Sequence, residues 1–90
     1  MKVDFTKAKV EVTFGEYKEM DITKVIGNAV HQNTSDIGVD ETARNIYHSE
    51  GEIEIPDEQI SAIIYALSNA STILVSAKKA ALNLLKLTQE

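Results

Sequence analysis

From Asp57 to Thr88 apolar residues recur every three or four positions, with no glycine or proline between them. Ile60, Ile63, Ile64, Leu67, Ala70, Leu74, Ala77, Ala81, Leu84 and Leu85 fall on one stripe, the spacing with which a helix buries one face. In heptad terms Ile60, Leu67, Leu74 and Ala81 form one seam position, and Ile63, Ala70, Ala77 and Leu84 the other. An unbroken helix over this span measures about 48 Å at 1.5 Å per residue. A compact globule of this length is about 30 Å across. The helix must therefore break or reach beyond its own domain. Its weakest part is Ser68–Thr72, whose polar side chains compete with the helix backbone for hydrogen bonds. Both a continuous helix and a break there remain open.

The pattern ahead of this stripe changes period. Ala8 to Phe14 alternates, with Lys9, Glu11 and Thr13 on one face and Ala8, Val10, Val12 and Phe14 on the other. That is a half-buried strand, which Val3 and Phe5 can extend. A tight turn at Gly15 leads into a second strand, Tyr17–Ile22, with Tyr17, Met20 and Ile22 expected inward. Asp21 or Thr23 caps a helix running to about Gln32, with Ile22, Val25, Ile26, Ala29 and Val30 as its buried stripe. Gly27 costs that helix about 1 kcal/mol relative to alanine, and its lack of a side chain lets another backbone approach closely. Asn33–Gly38 has the composition of a turn. Asp40 then caps a second helix to about His48, with Val39, Ala43, Ile46 and Tyr47 inward. Glu52–Ile55 is a short strand or an extended link, and Pro56 or Asp57 opens the final helix. The fold class expected is a helix-dominated α+β domain spanning 1–90. It comprises an N-terminal β-hairpin, two short helices, a short extended strand and a long C-terminal helix, with 71–90 as an oligomerisation or partner helix.

Composition narrows the class further. Ninety residues make one small domain with a marginal core, and the chain has no cysteine to staple it. Stability must come from packing or from self-association. The opening MKVDFTKAKV has no apolar core of a secretory signal, and no apolar run approaches a membrane span. A cytoplasmic protein that engages no membrane is the expectation. The net charge of −5 is uneven. Asp36, Asp40, Glu41, Glu50, Glu52, Glu54, Asp57 and Glu58 crowd the middle against Arg44 alone, whereas Lys78, Lys79 and Lys86 follow later. An acidic middle opposes DNA or RNA binding, which needs cations against phosphate, and suits a basic protein partner or simple solvation.

Candidate chemistry is sparse. There is no G-x-S-x-G elbow, no thiol and no glycine-rich phosphate loop. His31 and His48 are the only imidazoles, each near the end of a helix where the dipole favours a cation. Asn33, Asp36, Asp40 and Glu41 lack calcium-loop spacing. The segment around Thr34–Gly38 has helix-turn-helix length, but its second helix offers Arg44 and Asn45 beside Asp40 and Glu41, a poor reading surface. Glu50, Glu52 and Glu54 read as the solvent side of Ile53 and Ile55. The chain is therefore expected not to be an enzyme and to use no cofactor or metal.

The order of features from Gly27 onward resembles a family of small, functionally unassigned proteins of tailed bacteriophages and prophages. The residues that carry the resemblance are Ile26, Gly27, Asn28 and Ala29; Ala43, Ile46 and Tyr47; Gly51, Glu52, Ile53, Glu54 and Ile55; Asp57 and Ile60; and Leu74, Val75, Lys78 and Leu84. The fuller hairpin at Ala8–Ile22 departs from the short acidic opening usual in that family. The resemblance implies a phage or mobile-element origin and carries no activity.

These readings combine into one expectation. The chain is a non-enzymatic interaction protein that forms a homo-oligomer through Leu67, Leu74, Ala77, Ala81, Leu84 and Leu85. The oligomer presents its acidic middle to a partner, as an accessory in virion assembly or as a counter-defence inhibitor. The alternative is a small-ligand or nucleotide-binding protein with its pocket between protomers, contacted by His31, Asn33, Arg44 and His48.

Overall fold

A computed structural model describes residues 1–71 and 73–87, with side chains through residue 86. Thr72 and residues 88–90, which the sequence assigns to the C-terminal segment, lie outside the described residues. The chain runs β1 (Lys2–Val3), a 3-10 turn (Phe5–Lys7), β2 (Ala8–Thr13), β3 (Glu16–Met20), α1 (Thr23–Gln32) and α2 (Ile37–Tyr47). It continues through β4 (Ile53–Glu54), a 3-10 turn (Asp57–Gln59), α3 (Ile60–Asn69) and α4 (Val75–Leu87). The helix-dominated α+β architecture is the one the sequence predicts.

The hairpin follows the sequence at its base and departs from it at its tip. β2 and β3 pair antiparallel, with Ala8 opposite Met20 and Val10 opposite Lys18. Ala8 and Val10 are buried, as their alternation requires. Between Glu11 and Thr13 the register slips, so Val12 is an extra residue that bends the strand and re-aims the side chains beyond it. Val12 and Phe14, expected inward, are exposed instead. Tyr17 and Met20 are exposed too, because every residue of β3 faces solvent. Gly15 closes the turn with φ of +85°, a backbone region that disfavours side chains. Val3 and Phe5 do not extend β2. Asp4 Oδ1 accepts from Thr6 N at 2.9 Å and starts the 3-10 turn, while Val3 pairs with Ile53 in a separate two-residue ladder of β1 and β4.

The helices α1 and α2 meet at Gly27. A Cβ at that position would stand 2.7 Å from Tyr47 Cβ and 2.9 Å from the Ala43 carbonyl oxygen, so glycine is what permits the close crossing. Asp21 Oδ1 accepts from Thr23 N at 2.9 Å and from Thr23 Oγ1 at 2.7 Å just ahead of α1. α2 begins a turn earlier than predicted. Its cap is Asp36, whose Oδ1 accepts from Gly38 N at 2.8 Å and Val39 N at 3.2 Å, and Asp40 falls in the first turn. Asp36 wins because its extended backbone (φ −93°, ψ 120°) lets the carboxylate reach the first amides.

The C-terminal stripe breaks. Ala70 leaves α3 in an extended conformation (φ −71°, ψ 121°) and stays buried. α4 then packs chiefly on β2, and also on α3 and α1. The longest dimension of the molecule is 36 Å, less than the unbroken helix would need. Four of the six residues expected to meet a partner are consequently enclosed by their own chain: Leu67, Ala77, Ala81 and Leu85. Leu84 packs half-buried against the same core. Leu74 alone of the six is largely exposed, at 76%. The small side chains of Ala77, Ala80 and Ala81 let α4 seat closely, and Leu85 joins Phe5, Ile26, Ile46, Ile55, Ile63 and Leu67 in the centre.

Candidate functional site

Two surfaces stand out. The first lies where the hairpin tip meets the start of α4. Val12, Phe14 and Val75 line a groove of about 470 Å3 with Glu11, Thr13, Ser76 and Lys79. Phe14 is fully exposed, Val75 is 63% exposed, and Leu74 precedes it. Single exposed apolar residues are ordinary, whereas an apolar cluster rimmed by charge marks a contact surface. The turn is held by two hydrogen bonds: Gly15 N donates to Glu11 Oε2 at 3.0 Å, and Thr13 Oγ1 donates to Glu16 Oε2 at 3.0 Å. Beside it runs β3, which among the described residues pairs with β2 alone and displays Tyr17, 64% exposed, and Met20. A bare strand edge offers unpaired N–H and C=O groups to another strand.

Of these residues the sequence assigned only Leu74 to a contact surface; Val12, Phe14, Tyr17 and Met20 were expected inward. The signal that could have found them is Phe14 beside Gly15. A phenylalanine in a two-residue hairpin turn has no core to enter, so it must face water or a partner.

The second surface is a shallow groove across α1 and α2. It is lined by Gly27, Asn28, His31, Asp40, Ala43, Arg44, Tyr47 and His48. The structure thus brings together three of the four predicted ligand contacts, His31, Arg44 and His48. Asn33 is not among them: its Nδ2 donates to the Ala29 carbonyl at 2.8 Å and its backbone N–H to Val30 O at 3.1 Å, closing the end of α1. His31 Nδ1 is hydrogen-bonded to Asp40 Oδ1. The Tyr47 and His48 rings meet edge to face at 5.0 Å, and Lys24 Nζ lies 5.1 Å from the Tyr47 ring centroid. This is a groove of hydrogen-bonding groups at the surface. Among the described residues no cluster of three or more His, Cys, Asp or Glu could hold a metal.

The acids of the middle segment are exposed, apart from half-buried Asp40. Several also have structural work. Asp36 caps α2, Asp40 meets His31, and Glu54 and Asp57 each lie 3.3 Å from the Met1 amine. Ile55 is buried and Ile53 half-buried behind the glutamates of their strand. Among the described residues no helix is long and apolar enough to cross a membrane. No family model, curated protein or solved structure matches the chain.

Proposed function

We propose that this protein is a non-enzymatic interaction module that pairs with a second copy of itself through the hairpin end and leaves its acidic flank for a basic protein partner. The observation that carries the reading is the groove lined by the exposed side chains of Val12, Phe14 and Val75, with exposed Leu74 next to Val75 in the chain. Its rim carries both signs of charge, Glu11 and Lys79. A mixed rim suits a contact between identical surfaces, where each sign can meet the other. The site is therefore the hairpin and the first turn of α4, rather than the ridge of Leu67, Ala77, Ala81 and Leu85 inside the core. Within this proposal the setting is the one implied by the resemblance to small phage proteins: the host cytoplasm, as an accessory of virion assembly or as an inhibitor that occupies a basic site.

Light scattering after size exclusion tests it. Association gives a mass near twice the 9.9 kDa of the chain at high micromolar concentration, and the double variant Phe14→Asp, Val75→Asp returns to monomer with an unchanged far-UV circular dichroism spectrum. A monomeric parent protein at that concentration removes the reading.

A second reading has one observation of its own: His31, Arg44 and His48 converge on one groove. A small anionic ligand such as a nucleotide would find donors there. Calorimetry with nucleotides and cyclic dinucleotides should then show heat that Arg44→Ala abolishes, and no heat with any of them sinks the idea.

A further inference from the structure

We infer, resting on the self-association above, that two copies join β3 to β3 antiparallel about a two-fold axis at Tyr17, forming one sheet in the order β2-β3-β3-β2. Among the described residues β3 uses one edge, pairing with β2, and all five of its residues are exposed. The outer edge carries the backbone donors and acceptors that strand addition satisfies.

Symmetry restricts the register. Hydrogen-bonded and non-hydrogen-bonded pairs alternate along an antiparallel ladder. A two-fold axis must therefore pass through a pair, so one residue faces its own copy. Each residue of β3 can be tried as that centre. At Lys18 two ammonium groups oppose each other, and at Glu19 or Glu16 two carboxylates do. At Met20, Glu19 would face Asp21. Like charges directly opposite are destabilising. At Tyr17 the conflict disappears. Tyr17 faces Tyr17, and Glu16 faces Lys18 on both sides of the axis. Glu19 falls opposite Gly15, where there is no side chain to oppose it. This one register joins opposite charges and two aromatic rings.

Met20 and Lys18 lie opposite Ala8 and Val10, whose buried side chains mark the face that α4 covers. The two Tyr17 rings meet on the opposite, open face. Glu16 Oε2 already accepts from Thr13 Oγ1 at 3.0 Å, which fixes the carboxylate and leaves Oε1 for the second copy's Lys18.

The chain contains no cysteine, so single-cysteine variants report the register cleanly. Facing Cα atoms in such a ladder are about 4.5–5.5 Å apart, within the span a disulfide bridges. Oxidation of Tyr17→Cys with diamide should give a disulfide-linked dimer at least about tenfold faster than Lys18→Cys or Glu19→Cys, whose copies stand two and four positions out of register. Glu16→Lys and Lys18→Glu should each weaken dimerisation about tenfold, and the combined swap E16K/K18E should restore it. A dimeric parent protein that shows neither selective cross-linking at position 17 nor rescue by the swap overturns the register while self-association survives. A monomeric parent protein overturns both.

Discussion

At the scale of single residues, Gly27 illustrates how much a local pattern reveals, whereas at the start of α1 the cap position falls to Ile22 and not to Asp21 or Thr23. A glycine inside the α1 stripe signalled close approach, and the structure supplies the neighbours, Tyr47 Cβ and the Ala43 carbonyl oxygen. Both belong to the backbone or its first side-chain atom, so neither can swing aside. We expect Gly27→Ala to destabilise the fold by about 2 kcal/mol, the upper end of the overpacking range at about 3 kcal/mol less about 1 kcal/mol for the better helix propensity of alanine. Urea unfolding checks it, and an unchanged or higher midpoint would mean that α1 and α2 do not cross there. At Asp21, hydrogen bonds from the Thr23 hydroxyl and then its amide outweigh partial burial and, with help from Lys24, hold the carboxyl pKa below its ordinary value. A depressed folded pKa means the contribution is complete above the unfolded value of 3.8 and is lost as pH falls through the folded value. Asp21→Asn should therefore be less stable than the parent near neutral pH, and the gap should close below about pH 4. A gap that persists unchanged into strong acid would sink this account. The outward side chains of Val12 and Phe14 were not legible at this scale. Alternation alone points them inward, and the bulge that turns them out is a property of two paired strands.

At the scale of elements, the division of the C-terminal stripe decides what its leucines do. The 3.6-residue period announced helix throughout and Ser68–Thr72 marked the weak point, but helix propensity is too small a term to choose between bending and reaching out. Burial makes the choice, because α4 covers Ala8 and Val10 of β2 and buries Ala77, Ala80, Ala81 and Leu85 in return. Leu85→Ala should cost about 2–5 kcal/mol as a cavity in the centre, whereas Leu74→Ala should change stability by no more than about 0.5 kcal/mol. Thermal or urea denaturation of the two variants discriminates them directly. Equal effects would mean that α4 is not docked as described. Hairpin, helices and the β4 segment were each legible as elements within a few residues. The pairing of β4 with β1 was not, since Lys2 and Glu54 are brought together only by everything folded between them.

At the scale of the whole molecule, the longest dimension of 36 Å is that of a chain folded back on itself. Exposed apolar side chains cluster in a groove between the hairpin and the first turn of α4, with Ile37, Tyr65 and Val25 exposed singly elsewhere, while the acids of the middle segment, Asp40 apart, face water. Mixing the parent protein with the E16K/K18E swap offers a check at this scale. Each form should pair with itself, and mixed pairs should be disfavoured. In a mixed pair the parent's Glu16 would face the carboxylate that K18E introduces, and its Lys18 the ammonium that E16K introduces. Native mass spectrometry of differentially labelled chains reads the ratio, and a statistical mixture argues against the register. By itself the sequence determined the class of fold, the position of the turns and the acidic middle. Those follow from local terms: periodicity, capping and the chemistry of glycine and aspartate. Tertiary structure decided which apolar face met solvent and which polar residues shared a groove. Those choices depend on how much surface distant segments can hide from water once they pack together, a quantity that no local pattern contains.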